Sequence, residues 1–249
     1  MYDEIKYLIA GDGALVMEFG NSISEEINSR IRSMVAAIET KKIRGIIEMV
    51  PTYRSLMIHY DIFTVEYMEL VAILQELEAQ LDNIDLPLPQ VIEIPTLYGG
   101  EWGPDIENVG RHNGLTIEEV IEIHSSREYL IYMLGFTPGF PYLGGMDEKI
   151  ATPRLETPRT KIPGGSVGVA GGQTGIYPID SPGGWQLIGR TPIPLYDPNR
   201  DKPILLKSGN YIRFKGINRE EYQEIREALK SGKYQYKSYP KGEGREDYD

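Results

Sequence analysis

The sequence predicts an α+β protein in which an N-terminal α/β sandwich domain precedes a β-barrel domain. Residues 1 to about 85 alternate strand-like and helix-like hydrophobic patterns, which favours a sheet covered by helices. Beyond them, short apolar runs are separated by Gly and Pro, and 13 of the 27 glycines fall between Gly135 and Gly189. Such a density of tight turns is typical of a barrel with functional loops. The expected bounds are residues 1–87 for the first domain, 88–231 for the second and 232–249 for a polar tail.

The first domain is expected to follow the order β-β-α-β-β-α. Four apolar runs have strand character, namely residues 7–10, 14–19, 43–50 and 54–60. Ser22 and Glu25 have the spacing of a capping box, which predicts the start of a first helix, and a second is expected to begin near Thr64. Each helix has apolar residues that recur on one face, namely Ile27, Ile31, Met34 and Ile38, and then Leu70, Leu74, Leu77 and Leu81.

Residues 82–89 form the expected boundary between the domains, because prolines and turn formers interrupt the periodic pattern there. Beyond this boundary one helix is clear at Ile117–His124, since Thr116 and Glu119 form a capping box before an apolar stripe. A last helix is expected after Asn218, and the polar tail that follows is expected to fray at its end.

Composition excludes several classes of function. The formal net charge of -11 argues against nucleic acid as a partner, because an acidic surface repels phosphate backbones. The chain has no cysteine, which excludes disulfides, thiolate metal sites and a cysteine nucleophile. Its three histidines, His59, His112 and His124, lack the spacing of metal ligands, so no metal centre is expected. No long apolar run and no N-terminal export signal are recognisable, which predicts a cytoplasmic chain without a membrane segment.

Two segments of the second domain are candidate walls of a binding site. The run from Gly135 to Gly145 (GFTPGFPYLGG) alternates rigid prolines with glycines and aromatic residues, including Phe140 and Tyr142. It would form either a stiff apolar wall or a plug at one end of the barrel. The run from Ser181 to Thr191 offers Ser181 as a polar contact and brings Trp185 and Arg190 to the two ends of a short strand. Trp185 would line a site or pack in the core, and Arg190 requires an anionic partner if it is buried.

Two further segments carry polar and cationic candidates. The stretch from Lys149 to Lys161 has four basic residues, and prolines on either side of Arg159 restrict its backbone. Such a patch suits a carboxylate or phosphate ligand, although solvated surface charge is the alternative. Glycines lie beside Ser166 and Gln173, so that backbone N–H groups can approach an anion and the Gln173 amide can meet a lactam or ureido group. The alternative is a pair of hairpin turns.

His124 is the one histidine that we nominate as a general acid or base. It continues the stripe formed by Ile117, Val120 and Ile121 at helical spacing, so its side chain is expected to face inward. A hydrogen-bonded core histidine is the competing interpretation. His59 lies in an apolar strand, where simple packing is expected.

Several motifs in one order give the chain a specific resemblance. They are Tyr98-Gly-Gly with Gly103-Pro-Asp, Gly135-Phe-Thr-Pro-Gly-Phe-Pro-Tyr-Leu, Pro153-Arg with Pro158-Arg, Gly175-Ile-Tyr-Pro, and Ser181-Pro-Gly-Gly-Trp with Gly189-Arg-Thr-Pro. In these motifs the chain resembles the family that holds the B-type subunit of 5-oxoprolinase (PxpB), the kinase-A inhibitor KipI and allophanate hydrolase subunit 1. The resemblance extends from Gly11 to about Ile217.

The resemblance implies a cyclophilin-like fold for the barrel and a partner, the C-type subunit, that has a similar barrel and shares the active-site region. A separate A-type subunit would complete the ATP-dependent cleavage of 5-oxoproline to glutamate. ATP and Mg²⁺ would be shared with the partner, and the chain would be inactive alone. The resemblance also leaves two alternatives: a carboxyltransferase or allophanate hydrolase-type subunit, and an inhibitor of a sporulation sensor histidine kinase.

If the chain takes part in the cleavage of 5-oxoproline, the candidate residues have specific roles. Arg159, Lys161 and Arg190 would hold phosphate and the substrate carboxylate. Gln173 and Ser166 would orient the amide, and His124 would move a proton.

Overall fold

The structure, a computed structural model, describes residues 1–2, 4–81, 84 and 86–242. Its contacts divide the chain into two compact units, Met1–Pro87 and Leu88–Asp249. Both units combine strands with helices, and the predicted α+β class is confirmed. Three residues of the expected boundary, Asp82, Asn83 and Asp85, lie outside the described residues, as do residues 243–249 of the expected tail.

The first unit is a four-stranded antiparallel sheet with two helices. Its elements in chain order are β1 (Lys6–Ile9), β2 (Ala14–Glu18), α1 (Glu25–Lys41), β3 (Ile46–Pro51), β4 (Ser55–Tyr60) and α2 (Tyr67–Glu78). The strands pair in the order β1-β2-β4-β3. The eight apolar residues predicted to share the inner faces of the helices are all buried. His59 is half-buried between buried Ile58 and Tyr60, so it lies on the outer face of β4.

Both helix starts of this unit differ from the predicted positions. The capping residue of α1 is Ser24, not Ser22, because the helix begins at Glu25 and the Ser24 hydroxyl accepts a hydrogen bond from the backbone N–H of Ile27 at 3.2 Å. The second helix begins at Tyr67 rather than near Thr64. Thr64 instead donates its hydroxyl hydrogen to the Asp61 carboxylate at 2.6 Å, which holds the preceding residues in a turn.

The second unit carries the remaining strands and helices. They are β5 (Gln90–Tyr98), α3 (Ile106–Asn113), α4 (Ile117–Ser125), β6 (Glu128–Leu134), β7 (Pro141–Gly144), β8 (Arg159–Ile162), β9 (Ser166–Ala170), β10 (Gln173–Ile176), β11 (Ser181–Gly183), β12 (Gln186–Arg190), β13 (Tyr211–Gly216), α5 (Arg219–Lys230) and β14 (Ser238–Pro240). A 3-10 turn lies at Glu148–Ile150. The capping boxes at Thr116 and Asn218 are both formed.

An eight-stranded sheet wraps around the main core of this unit. Its order is β10-β9-β12-β5-β13-β6-β7, with β14 paired to β5. The two ends of this path, β7 and β10, lie beside each other, so that the sheet forms a nearly closed barrel. Strands β8 and β11 form a separate two-stranded sheet. Within the described residues, no helix has both the length and the apolar character needed to cross a bilayer.

Two features of this unit differ from the sequence-based expectation. Helix α3 was not expected, because Gly110 interrupts its short apolar pattern. A Cβ at Gly110 would lie 2.7 Å from the carbonyl oxygen of Leu115, so the close approach of the next loop requires glycine there. Strand β14 lies within the expected polar tail and pairs with β5, and Tyr234 and Tyr236 pack against the barrel core.

Candidate functional site

Strands β9 and β12 separate the barrel core from a smaller aromatic cluster. Val167 and Val169 of β9 pack in the main core, whereas Ala170 belongs to the smaller cluster. The buried members of that cluster are Phe140, Ile162, Ala170, Tyr177, Trp185 and Leu187, with Tyr142 packed against them. The aromatic residues expected to form either a wall or a plug therefore belong to a second apolar cluster outside the main core.

Phe140 is the centre of this aromatic cluster. Its ring centroid lies 5.5 Å from that of Tyr142, 5.7 Å from that of Tyr177 and 5.8 Å from that of Trp185. The interplanar angles of 65° to 85° are those of edge-to-face contacts, which the aromatic quadrupole favours. Because each ring packs against its neighbours, the cluster forms a continuous apolar wall.

Two glycines allow the rings to approach the backbone this closely. A Cβ at Gly175 would lie 3.0 Å from the Trp185 ring. A Cβ at Gly183 would overlap the Tyr177 hydroxyl and would lie 2.9 Å from Cδ1 of Ile162. The glycine-rich composition of this region therefore serves close ring-to-backbone contacts as well as turns.

A cavity of about 260 Å³ opens beside the aromatic cluster. It is lined by Phe136, Phe140, Tyr142, Arg154, Gln173, Tyr177, Pro182, Gly183, Gly184 and Trp185. Four predicted site residues therefore meet in one cavity, namely Phe140, Tyr142, Gln173 and Trp185. Phe136 stands at its rim, 73% exposed and with a positive φ of 66°.

Arg154 supplies the positive charge of the cavity. It is exposed and forms no ion pair with a carboxylate among the residues that the structure describes. Burial raises the pKa of Tyr177, while Arg154 nearby opposes that rise. Arg154 is therefore available for an anionic ligand next to the Tyr177 hydroxyl and the Gln173 amide.

Arg159 lies outside the cavity and is bound by an acidic residue. Its Nη2 atom is 2.8 Å from Oδ1 of Asp105, and Nη1 donates to the carbonyl oxygen of Trp185 at 3.4 Å. The second oxygen of Asp105 accepts the backbone N–H of Leu187 at 2.7 Å. Arg159 thus fixes the start of α3 to strand β12 beside the cavity wall, which is a positioning role.

Lys161 and Ser181 also lie outside the residues that line the cavity. Lys161 is 71% exposed and forms an ion pair with Asp180 at 2.9 Å. Ser181 donates its hydroxyl hydrogen to the carbonyl oxygen of Ile179 at 3.3 Å.

Ser166 and Arg190 form a separate pair on neighbouring strands. They are directly opposite each other in the antiparallel register of β9 and β12. Ser166 is fully buried, and neither its hydroxyl oxygen nor the buried Nε of Arg190 has a hydrogen-bond partner among the described residues. The pair does not line the cavity.

His124 is fully buried in the barrel core. Its Nδ1 atom lies 2.8 Å from the Tyr98 hydroxyl and its Nε2 atom 2.8 Å from Oγ1 of Thr174. Burial lowers its pKa to about 3. With both ring nitrogens bonded inside the core and away from the cavity, His124 has the surroundings of a core histidine, and we assign it no role in proton transfer.

Two cavity residues were missed as individual candidates. Arg154 lay within the cationic stretch, but the proline-flanked Arg159 was preferred over it. Tyr177 lay within one of the family motifs, and only the folded register brings its hydroxyl to Gly183. Among the described residues, no group of three or more acidic or histidine side chains is arranged to hold a metal ion.

Comparison with protein families gives a clear match. The family model described as carboxyltransferase domain, subdomain C and D, matches residues 5–206. The B subunit of 5-oxoprolinase from Bacillus subtilis (strain 168) is 44% identical over 228 residues, which cover 87% of this chain and 95% of the relative. That of Escherichia coli O157:H7 is 55% identical over 128 residues, 51% of this chain and 59% of the relative. The urea amidolyase of Saccharomyces cerevisiae is 26% identical over 261 residues, 93% of this chain but 14% of the relative.

Solved structures show the same fold. The crystal structure of TTHA0988 has a TM-score of 0.75 and 36% identity, and the match covers 82% of this chain and 40% of that one. PH0987 from Pyrococcus horikoshii is 48% identical with a TM-score of 0.52, and the match covers 87% of this chain and all of that one. The urea amidolyase of K. lactis, at 23% identity and a TM-score of 0.74, matches 94% of this chain and 16% of its own, which shows the fold alone.

Proposed function

Because this chain belongs to the carboxyltransferase domain (subdomains C and D) family, together with the 5-oxoprolinase B subunits, we propose that it is the B-type subunit of an ATP-dependent 5-oxoprolinase. In this proposal the chain acts in the cytoplasm with a C-type and an A-type subunit. It is inactive without them, and ATP and Mg²⁺ are held jointly with a partner subunit.

The observation that supports this proposal most directly is the composition of the cavity. 5-Oxoproline is a small lactam ring that carries one carboxylate. The cavity offers the Phe140 and Trp185 rings to the apolar part of such a molecule, and Arg154 to its carboxylate. Gln173 presents an amide donor and an acceptor, which match the lactam carbonyl and N–H.

The chemical problem is that an amide is stabilised by resonance and opens slowly. The lactam oxygen would take a phosphoryl group from ATP as ADP leaves. One water would then add to the ring carbon while the C–N bond breaks and the nitrogen takes up a proton, and a second water would release inorganic phosphate. In this chain Arg154 would orient the carboxylate and Gln173 the lactam amide, so that the lactam oxygen meets the phosphoryl donor. The aromatic cluster would keep bulk water from the bound ring.

A carboxyltransferase is the second candidate, because the family model bears that description and the yeast urea amidolyase aligns along 93% of this chain. A partner that carries biotin would distinguish it from the first candidate. Binding to a kinase dimerisation domain, unaffected by the C-type and A-type subunits, would instead support a kinase inhibitor.

The proposal is tested by measuring ATP hydrolysis and glutamate release from 5-oxoproline. The chain is assayed alone, with each partner, and with both. Activity only in the full mixture supports the proposal. A mixture that associates and remains folded, yet releases no glutamate, contradicts it and directs the search to other amide or ureido substrates.

A further inference from the structure

Arg190 belongs to a group of arginines of the second unit whose Nε atom is buried without a partner. It differs from the others in the contacts of its remaining guanidinium atoms. Three arginines have such an Nε among the described residues: Arg127, Arg190 and Arg200. Arg127 donates through its Nη atoms to the Gly145 carbonyl at 3.1 Å and to Asp147 at 2.6 Å. Arg200 donates to the Tyr236 hydroxyl and to two backbone carbonyls. Arg190 makes no hydrogen bond or ion pair with any residue that the structure describes, so its half-buried charge lacks a counterpart.

Asp180 is an acidic residue close enough to interact electrostatically with Arg190, but its carboxylate is already engaged. Its Oδ1 atom accepts the backbone N–H of Gly164 at 2.8 Å, and its Oδ2 atom is 2.9 Å from Nζ of Lys161. The Gly164 bond is the main cause of the lowered pKa of Asp180, and Arg190 contributes least. Asp180 therefore acts on Arg190 only from a distance.

Ser166 places a second unpaired donor next to Arg190. The two residues are direct partners in the antiparallel register, which puts their Cβ atoms about 5 Å apart on one face of the sheet. Ser166 is 0% exposed, and its hydroxyl has no partner among the described atoms. A buried donor without an acceptor is costly, and two of them at paired positions call for a shared acceptor.

The backbone around this pair is built for close approach. Gly165 has a φ of +83°, and a Cβ there would lie 2.5 Å from the carbonyl oxygen of Thr191 and 3.5 Å from Cγ of Arg190. On the other side of Ser166, the backbone N–H of Tyr177 donates to the Ser166 carbonyl at 2.9 Å. A row of three residues therefore runs from the cavity across neighbouring segments: Tyr177, Ser166 and Arg190.

We propose that Ser166 and Arg190 form an oxyanion site, separate from Arg154, which takes a phosphate group. The guanidinium offers several donors with a fixed geometry, and the Ser166 hydroxyl adds one more, which suits a tetrahedral oxyanion. This inference deepens the proposed function, since ATP-dependent ring opening needs one site for a carboxylate and another for a phosphoryl group. Phosphate binding, however, is a property of the chain that does not depend on turnover.

The test is a calorimetric titration of the full chain with inorganic phosphate at constant ionic strength. The chain is compared with Arg190→Gln, Arg190→Lys, Ser166→Ala and the control Lys149→Gln. We expect Arg190→Gln to weaken phosphate binding by about tenfold or more, because a charge-assisted contact is lost. Arg190→Lys keeps the positive charge but lacks the planar guanidinium with its several donors. It should weaken phosphate binding less than Arg190→Gln does. Lys149→Gln should bind phosphate as the unchanged chain does, since Lys149 is an exposed residue of the 3-10 turn and lies outside β9 and β12.

Ser166→Ala separates a ligand site from a structural role. If the hydroxyl has no partner in the free protein, its removal should leave the melting temperature without phosphate unchanged or slightly raised. The same variant should show a smaller rise in melting temperature when phosphate is added. A variant that is destabilised equally with and without phosphate would contradict the site.

A parallel titration with acetate distinguishes a carboxylate from a phosphate as the ligand of this site. Phosphate binding that depends on Arg190, with little binding of acetate, supports a phosphoryl site. Acetate binding that also depends on Arg190 would assign the site to a carboxylate and overturn its assignment to a phosphate group. Phosphate affinity that is equal in the unchanged chain, Arg190→Gln and Ser166→Ala overturns the proposal. This outcome leaves the 5-oxoprolinase assignment intact, because glutamate release is measured separately.

Discussion

Tyr98 and His124 are joined by a hydrogen bond of 2.8 Å between the tyrosine hydroxyl and Nδ1 of the imidazole. On the other side of the ring, Thr174 donates its hydroxyl hydrogen to the Gly168 carbonyl at 3.0 Å. The Thr174 oxygen must therefore accept from Nε2 of His124, and Nδ1 must accept from Tyr98. The chain of bonds fixes a neutral imidazole that carries its hydrogen on Nε2, which ties α4 to β5 and β10.

The buried His124 should make stability depend on pH in the acidic range. Burial lowers its pKa in the folded state to about 3, against an ordinary value of 6.5. Between these values the unfolded chain takes up a proton that the folded chain does not, so stability falls as the pH falls from 6.5 towards 3. The slope from this one group approaches about 1.4 kcal/mol per pH unit. Urea unfolding at a series of pH values measures it.

The variant His124→Gln serves as the reference for that prediction. It removes the titrating group, so its stability should be lower at neutral pH but should depend less steeply on pH between about 6 and 4. If the free energy of unfolding depends equally steeply on pH in the two proteins, carboxylates alone cause the acid sensitivity.

Thr174→Val should destabilise the second unit because it removes one link of the hydrogen-bond chain at nearly constant shape. The Nε2–H of His124 would lose the Thr174 hydroxyl as its acceptor in a buried setting, and the Gly168 carbonyl would lose one hydrogen bond, at a cost of about 1–3 kcal/mol. Thr160→Val, at an exposed position of β8, is the matched control and should change stability by less than about 0.5 kcal/mol. Similar unfolding midpoints for the two variants would show that the hydrogen bonds of Thr174 do not stabilise the second unit.

Gly183→Ala should disturb the cavity, whereas Gly184→Ala should not. An added Cβ at Gly183 overlaps the Tyr177 hydroxyl, so the ring must move. At Gly184 the nearest atom to an added Cβ is 3.5 Å away, which is ordinary contact. We expect Gly183→Ala to lose about 1–3 kcal/mol of stability and to raise the KM for 5-oxoproline in the assembled complex. If both variants have the KM of the unchanged chain, Tyr177 does not shape the substrate site.

Asp105→Asn should lower stability through Arg159. The substitution keeps the shape of the side chain but removes the charge that pairs with Nη2 of Arg159 at 2.8 Å. With the arginine side chain 30% exposed, the loss is expected to be roughly 1–2 kcal/mol, below that of a fully buried pair. Lys161→Gln, which breaks the exposed pair with Asp180, is the control and should leave the melting temperature unchanged. An equally small effect in both variants would show that Arg159 is not a positioning residue.

The elements with strong periodicity could be predicted from the sequence. Ile27, Ile31, Met34 and Ile38 recur at helical spacing and are buried in α1, and the capping box at Thr116 starts α4 as predicted. Helix α3 could not be predicted, because the tight contact of Gly110 with Leu115 is a tertiary constraint that places a poor helix former inside a helix. Strand β14 depends on pairing with β5, which local composition does not indicate.

The residues that line the cavity were predicted only in part. The aromatic motif of Phe140 and Tyr142 does line the cavity, as Gln173 and Trp185 do. Whether a cation faces a ligand or a carboxylate is decided by the fold: Arg159 meets Asp105, a residue 54 positions earlier, whereas Arg154 meets none in the described part of the chain. The sequence shows which side chains are charged, but it does not show which of them pair with each other in the fold.

The substrate role of the cavity is tested most directly by the KM for 5-oxoproline of the complex assembled with Arg154→Gln. If Arg154 binds the substrate carboxylate, KM should rise about tenfold or more, while complex assembly and the melting temperature stay unchanged because Arg154 is exposed. Lys149→Gln, an exposed basic residue outside the cavity, should leave KM unchanged. An unchanged KM for Arg154→Gln in a fully active complex would contradict the assignment of this cavity as the substrate site.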